Sequence, residues 1–85
     1  MKNERKYNNM NDIIYVVMGR NIKLKTQYIL GSYSSTTKAV MAIIKHCIEF
    51  EKCPMPIRIN DNYFRIMNNG ELYSDFEITE TSLDK

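Results

Sequence analysis

Cationic and aromatic side chains are the residues of this 85-residue chain whose types and spacing could do chemistry. Arg20, Lys23 and Lys25 crowd one stretch, and Arg58 and Arg65 recur late, with Tyr28 and Tyr63 close by in type. Guanidinium and ammonium groups contact phosphates, and tyrosine rings stack on bases. A sheet that interleaves the two is compatible with RNA, with Arg20, Lys23, Lys25, Arg58 and Arg65 as phosphate contacts and Tyr28 and Tyr63 as stacking platforms. The competing reading is a charged edge hairpin, where lysines deter sheet-to-sheet pairing. Sequence alone leaves both open.

The distribution of charge says more than its sum. The net value is +2, too small to mark a nucleic-acid binder. Yet residues 1–65 carry eleven basic and five acidic side chains, and residues 66–85 carry one basic and five acidic. A basic body thus joins an acidic end containing Glu71, Asp75, Glu77 and Glu80. Such an end could pair with a basic partner, keep the last strand in solution, or attract the basic part of a second copy and favour a homodimer. A small sheet with an exposed edge is itself a place for pairing.

Other chemistries find less support. His46, Cys47 and Cys53 could be imagined as a metal site, but zinc takes four ligands, or three and a water. His46 and Cys47 are neighbours on a predicted helix and point about 100° apart. They are read as a surface imidazole beside a buried thiol. The same geometry denies them a nucleophile–base pairing. Glu49/Glu51 and Asp75/Glu77 look like solvated faces, and the three glycines sit at turn-like positions without forming a phosphate loop. No catalytic residue, metal or cofactor is expected. Met41, Met55 and Met67 are expected to fill core gaps, the alternative being an adaptable contact surface.

The elements that position these residues follow from pattern. Ile13–Met18 is continuously apolar and rich in β-branched residues, which predicts a central strand with both faces covered to some degree. Gly19-Arg20-Asn21 supplies a turn, and Lys23–Tyr33 a second strand with Lys23 and Lys25 on one face. Ser34-Ser35-Thr36-Thr37 offers hydroxyls to cap a helix running to about Lys52. Its apolar face comprises Ala39, Val40, Ile43, Ile44, Cys47 and Phe50. Pro54 and Pro56 end it. Ile57-Arg58-Ile59 and Tyr63–Met67 read as strands around the turn Asn60-Asp61-Asn62. Asn68-Asn69-Gly70 is the clearest hairpin signal. Glu71–Tyr73 and Phe76–Ile78 form a fifth strand, bent at Ser74-Asp75, and Thr79–Lys85 a polar tail. The order β-β-α-β-β-β predicts an α+β two-layer sandwich, one amphipathic helix packed on a mostly antiparallel sheet. The domain is bounded at residues 12–79, between a flexible polar arm over 1–11 and a tail over 80–85. Met10 is a candidate internal start.

Composition sets the outer limits. Eleven isoleucines and nine aromatics can build one small core, which argues against a disordered chain. Two cysteines cannot make a disulfide-rich scaffold, and a Cys47–Cys53 bridge is not expected. The apolar runs are too short to span a bilayer, so no membrane partner is expected. The polar start lacks a signal-peptide core, which predicts a cytoplasmic protein with reduced thiols.

The Asn- and Ile-rich composition, the polar Met1–Asn11 start and the strand-hairpin-helix plan from Ile13 to Ile78 resemble the small accessory proteins of T-even-like phages. Within that group the chain is similar to inhibitors of toxin endoribonucleases of the TifA type. The resemblance covers the whole chain without a diagnostic motif, so no site residue is carried across. It implies a non-enzymatic counter-defence protein, antitoxin-like, that binds and inhibits a host protein in the host cytoplasm, with RNA as co-ligand. The alternative is a stand-alone RNA- or DNA-binding module that uses the basic hairpin.

Overall fold

The computed structural model describes residues 13–52 and 55–82. The expected arm, the candidate start at Met10, and Cys53 with Pro54 lie outside them. Five strands and one helix follow in the order β1 (Ile13–Asn21), β2 (Thr26–Tyr33), α1 (Thr36–His46), β3 (Ile57–Asn60), β4 (Tyr63–Asn68) and β5 (Glu71–Ser82). The strands form one antiparallel sheet in the spatial order β2-β1-β5-β4-β3. The helix lies on one face, chiefly over β2 and β1. This is the expected α+β architecture.

The long β1–β5 pairing organises the sheet. Nine consecutive partners join Ile13↔Ser82 through Asn21↔Ser74. This ladder corrects three boundaries. Gly19-Arg20-Asn21 belongs to β1 rather than to a turn. β5 is one twelve-residue strand that runs through Ser74-Asp75, its irregularity against β4 falling just before them at Tyr73. It also carries Thr79–Ser82, expected to be tail. Pairing to a central neighbour supplies what local composition lacked.

The β1–β2 turn therefore falls later, at residues 22–25. The Leu24 N–H donates to Asn21 Oδ1 at 2.8 Å, and Lys25 takes φ 58°. Lys23 and Lys25 sit on this turn and do not share a strand face as expected. At the β4–β5 hairpin, Asn69 (φ 54°) and Gly70 (φ 81°) take the positive φ values that their residue types favour.

Ser35 caps α1, its hydroxyl accepting from the Lys38 N–H at 3.1 Å. The helix then widens into a π-helical turn over Cys47–Glu51, closed by the Lys52 N–H on the Cys47 carbonyl. Helical periodicity fails across that turn. Ala39, Ile43 and Cys47 are buried as expected, but Phe50 points out, 69% exposed. The core joins these three to Val17, Phe64, Ile66, Phe76 and Ile78. Each fully buried large apolar side chain contributes about 1.5–3 kcal/mol. Met41, Met55 and Met67 are exposed and fill no core gap.

Alternation assigns the rest of the sheet. Tyr15, Val17 and Gly19 of β1 face the helix, so Ile14, Val16, Met18 and Arg20 face the other way. No described element covers that second face. The expectation of cover on both sides of β1 thus holds for one side among the described residues.

Candidate functional site

Two adjacent residues of β5 anchor two polar clusters, one on each face. Ser74 turns toward the helix and Asp75 toward the open face; they are 0% and 3% exposed.

On the open face, β1 pairs Arg20 with Asp75, and β4 pairs Arg65 with the same Asp75. The Arg20 guanidinium donates to Asp75 through Nε at 3.0 Å and through an Nη at 2.5 Å. This two-point geometry fits a planar guanidinium on a carboxylate. The Tyr63 hydroxyl donates to Asp75 Oδ2 at 2.6 Å. Arg65 Nε donates to that hydroxyl oxygen at 3.3 Å, and its guanidinium lies 5.2 Å from the Tyr63 ring centre. Burial pushes the Asp75 carboxyl up, but hydrogen bonds from Arg20 and Tyr63 and the charges of Arg20 and Arg65 outweigh it. The carboxyl is held below the usual carboxylate range. Its hydrogen bond and charge raise Arg20 in turn.

Both polar and apolar groups border this cluster. Met18 lies beside it with Gln27 and Glu77 around a small hollow of about 110 Å3. Ile29, across from Met18, is 56% exposed, and Ile57, across from Arg65, is 50% exposed. Ile14 and Val16 extend the apolar line along β1 on the same face. An antiparallel sheet that ends in water usually carries polar residues on its outer side. This one carries an aliphatic line on β1 that leads up to the ion pair, beside the polar Glu77, Thr79 and Thr81 of β5.

On the covered face, the Ser74 hydroxyl donates to Glu51 Oε1 at 3.5 Å. His46 Nε2 lies 3.4 Å from Glu51 Oε2 and 3.1 Å from the Tyr28 hydroxyl oxygen. The imidazole is packed among the rings of Phe50, Tyr28 and Phe76, with centres 5.1–5.7 Å away. Burial pushes the Tyr28 phenol up to about 12, with the negative charge of Glu51 adding to it. Gly19 makes this reach available: a Cβ there would stand 2.5 Å from the Tyr28 ring. His46 is thus no surface imidazole, its side chain being 17% exposed. Helix periodicity puts it at the edge of the buried stripe, and the tyrosine that covers it comes from another element.

The seven residues read from sequence therefore separate. Arg20, Tyr63 and Arg65 meet at Asp75, a residue whose role the sequence reading missed. Tyr28 lies on the opposite face under His46. Arg58 stacks its guanidinium 5.3 Å from the Phe64 ring centre and lies 3.8 Å from Asp61. Lys23 and Lys25 occupy the β1–β2 turn; Arg20, Asn21, Ile22, Lys25, Thr26 and Gln27 line a hollow of about 400 Å3 there. No local signal marked Asp75, because its partners Arg20 and Tyr63 lie 55 and 12 residues away.

Among the described residues no group of three metal-ligating side chains gathers, and no helix is long and apolar enough to cross a membrane. No family model matches the chain, and comparison with curated proteins and with solved structures yields no match.

Proposed function

We propose that the protein is a non-enzymatic binding module that docks onto another protein through the open face of its sheet. The observation that carries this reading is the aliphatic line of Ile14, Val16 and Met18 on a central strand, with exposed Ile29 beside it on β2 and exposed Ile57 on β3, across the polar residues of β5 and β4. Apolar anchors around a polar centre suit a protein surface. Arg20 is paired with Asp75, and Glu77 on the same face offsets the charge of Arg65, so this face offers phosphate little net positive charge. The phage-protein resemblance supports a specific form: inhibition of a host factor such as a toxin endoribonuclease in the host cytoplasm.

A second reading, RNA as co-ligand or as sole ligand, draws on Lys23 and Lys25 beside Arg20 at the hairpin end. The experiment is capture of a purified host toxin endoribonuclease on the immobilised chain, with and without RNase and across a salt series. Retention after RNase, with weak salt dependence, is expected. Loss with RNase and a steep fall with salt would favour the hairpin and RNA, because counterion release dominates phosphate binding.

A further inference from the structure

The two edges of the sheet are unlike. β3 has four residues, carries Arg58 and is irregular between Arg58 and Asn60. Short length, charge and irregular register all blunt an edge against pairing. β2 has eight residues, Thr26–Tyr33, with no charged side chain and no proline. Lys23 and Lys25 stand on the turn before it. Such an edge offers backbone donors and acceptors to another strand on either side of its one irregularity at Leu30.

Beside this edge runs an apolar groove of about 590 Å3 between β2 and the helix. Leu30 and Tyr33 line it from the strand, and Met41 and Phe50 from the helix and the π-helical turn, where they are 64% and 69% exposed. Leu30 is the extra residue at the irregularity of β2 opposite Val17/Met18, which turns it into the groove. Lys38 lies toward one end of the groove, and Lys45 and Glu49 toward the other.

We propose that β2 pairs with β2 of a second copy, forming a closed dimer with a continuous ten-stranded sheet. A two-fold axis perpendicular to the sheet makes identical strands antiparallel and sets both helices on one face. The helices then flank the seam in opposite directions. Lys38 of each copy faces Glu49 of the other, and the exposed Met41 and Phe50 of both copies close over the paired strands. An uncharged strand carries nothing that repels its own copy. The opposite charges of Lys38 and Glu49 become complementary under that axis, with Lys45 beside Glu49. The open sheet faces stay free on the other side, so the dimer does not depend on the proposed docking function.

The test is the mass of the full chain in solution by light scattering and sedimentation equilibrium, over micromolar concentrations. Twice the single-chain mass is expected. Ile29→Lys, near the middle of β2, places like charges across the axis and should weaken the dimer at least about tenfold. Lys38→Glu alone should weaken it about threefold, and Lys38→Glu with Glu49→Lys should restore it. Amide exchange of the unaltered chain guards against misfolded variants: protection of Thr26–Tyr33 should rise with concentration, and that of Ile57–Asn60 should not. A single-chain mass throughout, a dimer indifferent to Ile29→Lys, or concentration-independent exchange in β2 would overturn the proposal.

Discussion

Ser74 and Asp75 are consecutive on β5 and almost equally buried, yet the clusters that they anchor differ in kind. The Asp75 cluster is ionic, with a carboxylate that receives three hydrogen bonds from Arg20 and Tyr63. Its cations face an uncovered surface, and the Arg20 side chain is 50% exposed. The Ser74 cluster lies under the helix, where aromatic rings enclose His46 and longer contacts join it to Glu51. One pleat separates them. A buried carboxylate must be compensated by charge, whereas a buried hydroxyl needs one partner. The open-face cluster thus fixes the register of β1, β5 and β4 at a single point, and the covered cluster ties the helix end to the sheet.

The largest effect should come from breaking the ionic side. Asp75→Ala removes the acceptor of Arg20 and Tyr63 together and should cost about 3 kcal/mol in urea unfolding. Asp75→Asn, which keeps the shape, should cost less. Gly19→Ala forces the Tyr28 ring away from its place and should cost about 2 kcal/mol while leaving the Asp75 cluster intact. Tyr28→Phe loses the hydroxyl contact to His46 and should cost about 1 kcal/mol. Equal losses for Asp75→Ala and Tyr28→Phe would erase the contrast between the two faces.

Titration separates the clusters by pH. The Asp75 pKa is depressed on folding, so its stabilisation is full above the unfolded carboxylate range and is lost as pH falls through the lower folded value. The Tyr28 pKa is raised, so its stabilisation is full below the unfolded phenol value of about 10 and is lost as pH rises toward the folded value of about 12. Asp75→Asn should flatten the acid limb of a stability–pH curve and Tyr28→Phe the alkaline limb. An effect of either variant on the opposite limb would show that the clusters are coupled through the strand. This is the smallest of the expected effects.

Much of the fold was legible in residue types. The β-branched run of Ile13–Met18, the Ser35 cap and the Asn69-Gly70 hairpin are local signals, and each marks its element. What escaped was set by partners distant in sequence. Polar Ser74-Asp75 looked like a bend, because nothing local shows that Arg20 and Tyr63 will neutralise the carboxylate. Thr79–Ser82 looked like a tail until paired with Ile13–Val16. Phe50 was misplaced because a π-helical turn breaks the 3.6-residue period. The basic-aromatic set was visible as residue types, but its division between two faces, a turn and an edge depends on strand register, which shifts at three places in the sheet.

The central claim is that the open sheet face, and not the basic hairpin, makes the functional contact. The direct measurement is the affinity of RNase-treated chain for a purified host toxin endoribonuclease, compared across two surface variants of equal stability. Met18→Lys with Ile57→Lys should weaken binding by at least about tenfold, as expected for apolar anchors at the centre of an interface. Lys23→Glu with Lys25→Glu should leave it within about threefold. Full binding by the sheet-face variant together with loss in the lysine variant would contradict the account and move the interface to the hairpin.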